Sequence, residues 1–288
     1  MLQDFLFLAA PGEPLGTLMA AIFGLLIGSF LNVVIYRVPA MMQRESENYV
    51  AHESGQPLPH TERFNLMLPR SACPKCGHQI TALENIPVIS YLALSGKCSN
   101  CKTPISPRYA VVELATGVLS AGLVWHFGAG LTGLAVLLFT YLLIAMTFID
   151  ADTQLLPDDL TLPLLWIGLL VNLNGTFVPL ADAVIGAVAG YLCLWTIFWL
   201  FKLATGKEGM GYGDFKLLAA LGAWLGWKML PIILLMSSLV GAVVGIALIV
   251  AAKRGRNVPM PFGPYLAGAG MLTLLYGKPI AQAWLGMV

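Results

Sequence analysis

The chain has 288 residues, of which 58% are hydrophobic and only 11% charged. Soluble globular domains carry about 25% charged residues, so this composition excludes a disordered chain, a fibrous chain and a small disulfide scaffold, and argues against an ordinary cytosolic enzyme. The net charge of +1 argues against nucleic acid as a main partner, because phosphate binding needs a basic excess. The composition predicts an integral membrane protein, surrounded by lipid, with several spans and one modest polar domain.

Eight apolar segments are candidates for transmembrane helices. A helical span needs about 20 mostly apolar residues, and these runs are continuous, without the period-two alternation of barrel strands. We therefore predict an all-α polytopic membrane protein, in which the sixth segment is short and weakly bounded. The segments are Leu15–Tyr36, Tyr109–Phe127, Leu131–Ile149, Leu160–Phe177, Ala183–Phe201, Phe215–Trp227, Pro231–Ala251 and Phe262–Trp284.

The first segment is expected to be a retained helix rather than a cleaved signal peptide. Residues 1–14 contain Asp4 and Glu13 but no Lys or Arg, so the positive region of a signal peptide is missing. Together with the other apolar segments, this helix divides the chain into three parts. They are a first helix at residues 1–37, a polar domain at 38–108 and the remaining spans at 109–288.

The basic residues predict the orientation of the spans, because Lys and Arg concentrate in cytoplasmic loops. Fourteen of the sixteen fall on one side, so the polar domain is expected in the cytoplasm and both termini outside. The cytoplasmic set is Arg37, Arg44, Arg63, Arg70, Lys75, Lys97, Lys102, Arg108, Lys202, Lys207, Lys216, Lys253, Arg254 and Arg256, and the opposite set is Lys228 and Lys278.

Four of the five cysteines form two matched Cys-x-x-Cys pairs in the polar domain. The first pair is Cys73 and Cys76, the second is Cys98 and Cys101, and 21 residues separate the pairs. Each such turn directs two thiolates at one point, and two turns close a tetrahedral zinc site. A polar domain of this size has a marginal hydrophobic core, which a metal can stabilise. The spacing therefore predicts a structural zinc held by the four thiolates.

A catalytic metal, a disulfide and a thiol redox centre are the alternatives for these cysteines. A catalytic zinc keeps one coordination position open, whereas four thiolates close the site, and a cytoplasmic location disfavours stable disulfides. His78 is a spare candidate ligand, although a surface position suits it better. The fifth cysteine, Cys193, lies within a span and is expected to be a small apolar packing residue.

Two acidic clusters lie at predicted cytoplasmic span ends, where a charge near the bilayer is costly and needs an explanation. Asp150 closes the third span, two residues before Asp152, and Asp214 opens the sixth after a Gly-rich stretch. Two carboxyl groups that share a site cannot both ionise easily, so one holds a proton while the other acts as a base on water. Such a pair can hydrolyse a peptide bond without a metal. The glycines before Asp214 would let a substrate backbone come close.

The same acidic residues also have structural and transport interpretations. An aspartate at a helix start is an ordinary N-cap, which would account for Asp158, Asp159 and Asp214, and Gly-rich stretches are often helix-packing surfaces. A proton relay or a cation path would use the same residue types. Glu113 and Asp182 are isolated charges near span ends, and Glu113 is expected to be structural.

Taken together, these features resemble the type IV prepilin peptidases, the membrane aspartic peptidases that process prepilins and the pseudopilins of type II secretion. The resemblance covers nearly the whole chain. A Gly-x-Gly-Asp motif alone would also suit presenilin-like or preflagellin peptidases, but those lack the four-cysteine insert. The motifs that carry the resemblance are Gly28-Ser29-Phe30-Leu31-Asn32-Val33-Val34, the paired cysteines with Glu84-Asn85-Ile86-Pro87 and Ser90-Tyr91 between them, Ile149-Asp150 with Leu156-Pro157-Asp158, and Gly211-Tyr212-Gly213-Asp214.

The resemblance implies a bifunctional enzyme of the bacterial inner membrane, with its active site at the cytoplasmic face. It would cut a short basic leader from a prepilin after a glycine, with Asp150 and Asp214 as the catalytic residues of a peptidase core at 109–288. Which of the two is the base stays open, because a coupled pair titrates as a unit. It would then methylate the new N-terminal residue, usually phenylalanine, using S-adenosylmethionine.

The site of methylation is less defined than the peptidase site. By resemblance the cytoplasmic insert and Ser95-Gly96-Lys97 would be involved. The insert has no Gly-x-Gly-x-x-Gly loop to hold the cofactor, and Gly96 suits a turn before Cys98 equally well. The residues that bind the methyl donor are therefore left unassigned.

Two other classes of function remain open from the sequence. A transporter or proton-coupled channel would use the carboxylates to carry ions and predicts a polar path to the outer face, of which the spans show little. An assembly scaffold would dock partners through the zinc-binding insert and would tolerate changes at the aspartates. The resemblance implies prepilins and pseudopilins as partners, while the composition predicts contact with membrane lipid and no nucleic acid partner.

Overall fold

The computed structural model describes residues 10–251 and 260–285. Within these residues the chain forms nine α-helices and no β-strand, apart from the isolated bridges Ala72–Gln79 and Lys97–Pro104. Short 3-10 turns occur at Leu83–Asn85, Asn172–Asn174 and Trp227–Met229. The helices are α1 (Pro14–Glu53), α2 (Ile89–Ala93), α3 (Arg108–Phe127), α4 (Leu131–Thr153), α5 (Asp158–Val171), α6 (Leu180–Thr205), α7 (Tyr212–Leu225), α8 (Leu230–Ala251) and α9 (Gly263–Leu285).

The all-α polytopic class is confirmed, whereas the count of eight spans is not. In the described residues five helices are long and apolar enough to cross a membrane. The helices α5 and α7 have 14 residues each, about 21 Å at the α-helical rise, which is short of roughly 30 Å of hydrocarbon. Asp4 and the basic residues Lys253, Arg254 and Arg256, which entered the sequence-based predictions, lie outside the described residues. The five helices are Pro14–Glu53, Arg108–Phe127, Leu131–Thr153, Leu180–Thr205 and Trp227–Val250.

The chain divides into two compact units, residues 1–141 and 142–288. In the first unit α1 and α3 pack with their backbones in close approach at Gly24 and Gly28. A Cβ atom at Gly24 would lie 2.3 Å from Ser120 Oγ, and one at Gly28 would lie 2.7 Å from Glu113 Cα. Small residues four apart permit this contact between apolar helices.

The first helix is much longer than the predicted span, which ended at Tyr36. It continues without a break through Pro39 to Glu53. The buried Arg37 explains part of this extension, because its guanidinium donates hydrogen bonds to the carbonyl oxygens of Asn65 (2.7 Å) and Pro69 (2.6 Å). The polar domain is therefore held against the extended helix by a residue that the sequence marked only as a positive charge.

The second unit is built around α7. Phe215 and every residue from Leu217 to Leu225 are buried, and α7 packs against α5, α6, α8 and α9. A helix that is apolar on all sides must be surrounded by other apolar elements. The short sixth segment of the prediction is thus the central helix of this unit.

The fourth predicted span, Leu160–Phe177, ends earlier than expected, because α5 stops at Val171. Asn172 is fully buried and its amide donates to the carbonyl oxygens of Ala223 (2.9 Å) and Trp224 (3.1 Å) at the end of α7. Its carbonyl accepts the backbone N–H groups of the two residues that follow the turn, Phe177 and Val178. One side chain therefore ends α5 and satisfies the carboxyl end of α7.

Candidate active site and metal centre

Asp150 lies three residues from the end of α4 and is only 4% exposed. Its Oδ2 atom accepts a hydrogen bond of 2.8 Å from the backbone N–H of Gly263, the first residue of α9. The preceding residue, Ile149, is fully buried. The carboxyl group is therefore fixed inside the second unit, at the point where α4 ends and α9 begins.

Asp214 is the third residue of α7 and is 7% exposed. The first turn of α7 is anchored by aromatic contacts, because Phe198 of α6 packs against Tyr212 and Phe215 with ring centroids 5.3 and 5.6 Å apart. The carboxyl of Asp214 lies near enough to that of Asp150 for their charges to repel each other. The second unit thus brings together two buried carboxyl groups that are 64 residues apart in the chain.

Leu156 packs against the first residues of both α7 and α9, next to the two carboxyl groups. A Cβ atom on Gly213, next to Asp214, would lie 2.6 Å from Leu156 Cβ, and a Cβ atom on Gly263 would lie 3.2 Å from Leu156 Cδ2. Around the pair, the start of α7, the start of α9 and the segment before α5 therefore meet at close range.

The other acidic residues of the two clusters are on the outside of the unit. Asp158 is exposed and accepts hydrogen bonds from Lys216 Nζ at 2.6 and 2.8 Å, which joins the first turns of α5 and α7. Asp159 and Asp152 are exposed as well. The N-cap interpretation of Asp158, Asp159 and Asp214 is wrong, because the residues at the N-cap positions are Pro157 and Gly211.

The two Cys-x-x-Cys pairs form matching turns in the first unit. Cys73 N–H donates to the His78 carbonyl and Cys98 N–H donates to the Thr103 carbonyl, both at 2.9 Å. The residue after each second cysteine, Gly77 or Lys102, has positive φ (71° and 58°). These paired turns direct the thiols of each pair to one side, as the spacing predicts.

The four sulfur atoms lie within 4.8 Å of one another. Cys73 Sγ is 3.8 Å from Cys101 Sγ, and Cys76 Sγ is 3.9 Å from Cys98 Sγ. A tetrahedral zinc ion with Zn–S bonds of about 2.3 Å needs sulfur atoms about 3.8 Å apart. The cluster can therefore hold a metal ion, and its donor set and spacing fit zinc. Cys193 lies apart from it, in the middle of α6.

Glu84 connects the surroundings of the two cysteine turns. Its carboxylate accepts hydrogen bonds from Ser99, from the backbone N–H and hydroxyl of Thr81, and from His78, and these bonds lower its pKa to about 2. Ser99 lies between the cysteines of the second turn, whereas His78 follows the first. His78 is therefore a partner of Glu84 rather than a metal ligand.

Other residues singled out in the sequence have structural contacts. Glu113 is buried and its Oε2 accepts the Val88 N–H at 2.7 Å, which agrees with the structural interpretation. Asp182 accepts a hydrogen bond from Trp227 Nε1 at 3.2 Å. Gly96 has φ of +64°, and a Cβ atom there would lie 2.8 Å from Tyr91 Oη, so the turn before the second cysteine pair explains this glycine without a cofactor.

Sequence reasoning missed Gly263 and the role of Arg37. Gly263 stands between Phe262 and Pro264, at the first residue of the last helix. A glycine followed by proline at the start of an apolar segment indicates a special backbone position, and this pattern could have drawn attention to it. The hydrogen bond between Gly263 and Asp150 could not have been predicted in this way, because the two residues are 113 positions apart.

The second unit thus combines apolar membrane-type helices with a buried aspartate pair, and the first carries a four-cysteine centre. Residues 22–127 match the bacterial Peptidase A24 N-terminal domain, and residues 137–246 match the Type IV leader peptidase family. The chain belongs to the type IV leader peptidase family. The sequence-based resemblance is therefore confirmed.

Relatives from several bacteria are similar to the chain over nearly its whole length. A protein of Aeromonas salmonicida is 58% identical over 271 residues, which are 93% of both chains. One of Pseudomonas aeruginosa is 56% identical over 275 residues, or 95% of both chains, and one of Dichelobacter nodosus is 55% identical over 274 residues, or 93% of this chain and 94% of the relative. Each is named prepilin leader peptidase/N-methyltransferase. No solved structure matches the chain.

Proposed function

We propose that this protein cleaves the leader peptides of type IV prepilins and type II secretion pseudopilins after a glycine, and that it then N-methylates the new terminal residue. The observation that carries the proposal is the buried pair Asp150 and Asp214, enclosed by the ends of α4, α7 and α9. Membership of the type IV leader peptidase family and the names of relatives at 55–58% identity support both activities.

The two aspartates carry out the peptidase reaction as a pair with one shared proton. The ionised carboxylate takes a proton from water as the water oxygen attacks the scissile carbonyl carbon, and the protonated carboxyl donates its proton to the carbonyl oxygen. Collapse of the tetrahedral intermediate breaks the C–N bond, and the amine leaves with the proton that came from water. The carbonyl re-forms, its proton returns to the second aspartate, and the pair regains its starting state.

The proposed site of cleavage is the cytoplasmic face of the bacterial inner membrane. In the eight-span topology expected from the sequence, fourteen of sixteen Lys and Arg residues fall on the side assigned to the cytoplasm, and the ends of α4 and α7 that carry the aspartates would lie on that side. A substrate whose own apolar helix enters the membrane would present its leader junction at this depth.

The four-cysteine centre would hold a structural zinc ion. Four thiolates from Cys73, Cys76, Cys98 and Cys101 close the coordination sphere, so the ion would stabilise the insert and would not take part in hydrolysis. S-adenosylmethionine would supply the methyl group to the amine that cleavage exposes. We assign no residue of the described chain to its binding.

The proposal is tested by changing each aspartate separately in the full-length protein, purified in detergent and incubated with a synthetic prepilin peptide. Asp150→Asn and Asp214→Asn should each abolish cleavage, because either change removes one of the two proton-transfer groups. Asp159→Asn, at an exposed position of α5, is the matched control and should cleave normally. Mass spectrometry measures both the cleaved product and the added methyl group.

The outcomes separate the proposed function from its rivals. Cleavage that persists in either Asp→Asn variant would remove that residue from the pair. A wild-type protein that does not cleave the peptide, but carries ions across vesicle membranes in a way that depends on the same aspartates, would favour a transporter. Cleavage without methylation would retain the peptidase half of the proposal alone.

A further inference from the structure

The start of α9 leaves one backbone donor for Asp150. The first N–H groups of a helix have no partner within the helix. Here Pro264 has no N–H, while the N–H groups of Tyr265 and Leu266 both donate to the Phe262 carbonyl. The remaining N–H, that of Gly263, donates to Asp150 Oδ2 at 2.8 Å in a buried position. Every donor of this first turn is thus accounted for.

Residue 263 has no room for a side chain. A Cβ atom there would lie 2.7 Å from Asp150 Oδ2 and 3.1 Å from Asp150 Cγ. Real Cβ atoms are essentially never found closer than 3.0 Å, so the carboxyl group would have to move away. The third neighbour, Leu156 Cδ2 at 3.2 Å, restricts the direction in which the residue could shift. Glycine is therefore needed at this position because the carboxyl group of Asp150 approaches the backbone itself.

We infer that the backbone N–H of Gly263 is a positioning group for hydrolysis, which holds Oδ2 of Asp150 so that Oδ1 is the oxygen left for the attacking water. This inference rests on the proposed function and deepens it. An N–H can only donate, so Oδ2 accepts this bond, which favours the ionised form of Asp150 and leaves Oδ1 as the oxygen with more free acceptor capacity. The plane of the carboxyl group is fixed by the same bond. The orientation of Oδ1 is therefore set before the water binds, which lowers the entropy cost of the reaction.

The first test compares two glycine-to-alanine changes in the same helix. Gly263→Ala should lower kcat for the prepilin peptide about 100-fold through displacement of the carboxyl group, with KM changed less than about twofold because leader binding is untouched. Gly268→Ala is the matched control, since a Cβ atom there meets nothing within 4 Å. It should leave both constants unchanged. The melting temperature of each variant in detergent shows whether the fold is intact.

A second variant separates the hydrogen bond from the steric effect. Glycolic acid in place of Gly263, introduced by cell-free translation, removes the N–H and adds no side chain. Loss of a hydrogen bond to a charged group should lower kcat about 10- to 100-fold, again with KM and melting temperature unchanged. This variant tests the donor itself, even if Gly263→Ala fails to fold.

The results distinguish a failure of this inference from a failure of the proposed function. Wild-type cleavage that is lost in Asp150→Asn but retained at full kcat in the glycolic acid variant would overturn the positioning role alone. The positioning role would also be overturned if a rise in KM for the prepilin peptide, or a fall in melting temperature, accounted for the whole loss of activity. Absence of cleavage by the wild-type protein would instead overturn the function on which the inference rests.

Discussion

At the scale of single residues, the two glycines of the Gly-x-Gly-Asp motif have different surroundings. A Cβ atom on Gly213 would lie 2.6 Å from Leu156 Cβ, whereas the nearest atoms to a Cβ on Gly211 are 4.0 Å away. One of these neighbours of Gly211 is Asp214 Oδ2. Gly213 is therefore needed for packing inside the protein. The expectation that a glycine lets a substrate backbone approach the carboxyl group applies to Gly211 alone.

Alanine at each glycine should separate packing from substrate binding. Gly213→Ala should lower the free energy of unfolding by roughly 1–3 kcal/mol, as expected for overpacking against a buried side chain. Gly211→Ala, at an N-cap with extended backbone, should change it by less than about 1 kcal/mol but should raise KM for the prepilin peptide. Denaturation in detergent and steady-state kinetics measure the two effects. Equal losses of stability in both variants would contradict the distinction.

At the scale of elements, α6 and α7 pack with their backbones in contact. A Cβ atom on Gly222 would lie 2.2 Å from the Gly186 carbonyl oxygen, and one on Gly186 would lie 2.3 Å from the Gly222 carbonyl oxygen. A backbone oxygen cannot move aside as a flexible side chain can, so any larger residue would separate the helices. Since Asp214 lies on the first turn of α7, this crossing also determines where its carboxyl group is held.

Gly222→Ala should therefore destabilise the protein by about 3 kcal/mol or more, at the upper end of the range for overpacked sites. It should also reduce cleavage, because α7 carries Asp214 away from α4. The control is Gly122→Ala on α3, where a Cβ atom meets nothing within 4 Å, and which should be neutral or stabilising by up to about 1 kcal/mol. A stable, fully active Gly222→Ala variant would show that the two helices can separate without cost.

At the scale of the whole molecule, the two units are stabilised in different ways. The second unit has a large buried core around α7. The polar insert of the first unit has few buried apolar side chains, and among residues 54–107 these are Pro87 and Cys98. A segment with so little core is expected to depend on a metal ion for its fold.

Removal of zinc should therefore unfold the insert and leave the apolar helices in place. Cys98→Ser should reduce the zinc content from one equivalent per chain to nearly none, because a closed tetrahedral site loses a ligand, and should make residues 56–107 sensitive to protease. Cys193→Ser, the same change within α6, should retain the metal. Elemental analysis and limited proteolysis measure these outcomes. A protein that contains no zinc as purified, with an insert that resists protease, would contradict the metal centre.

Patterns within short stretches of sequence were enough to predict several features. Continuous apolar runs predicted the helical class, and the turn geometry of Cys-x-x-Cys predicted which cysteines converge. Helix ends were predicted less well, because α1 is extended by the contacts of Arg37 with the insert and α5 is ended by the contacts of Asn172 with α7. These side chains act on residues distant in sequence, so no local pattern revealed them.

The sequence by itself determined the class of protein and predicted the residue types that are expected to carry the chemistry, since hydropathy, cysteine spacing and the Gly-x-Gly-Asp motif are all local properties. Only the tertiary structure decided that Asp150 and Asp214 are both buried near each other, and that Asp150 receives its hydrogen bond from Gly263. The physical reason is that burial and hydrogen-bond partners depend on how helix ends meet in space, which is decided by the packing of the whole unit around α7.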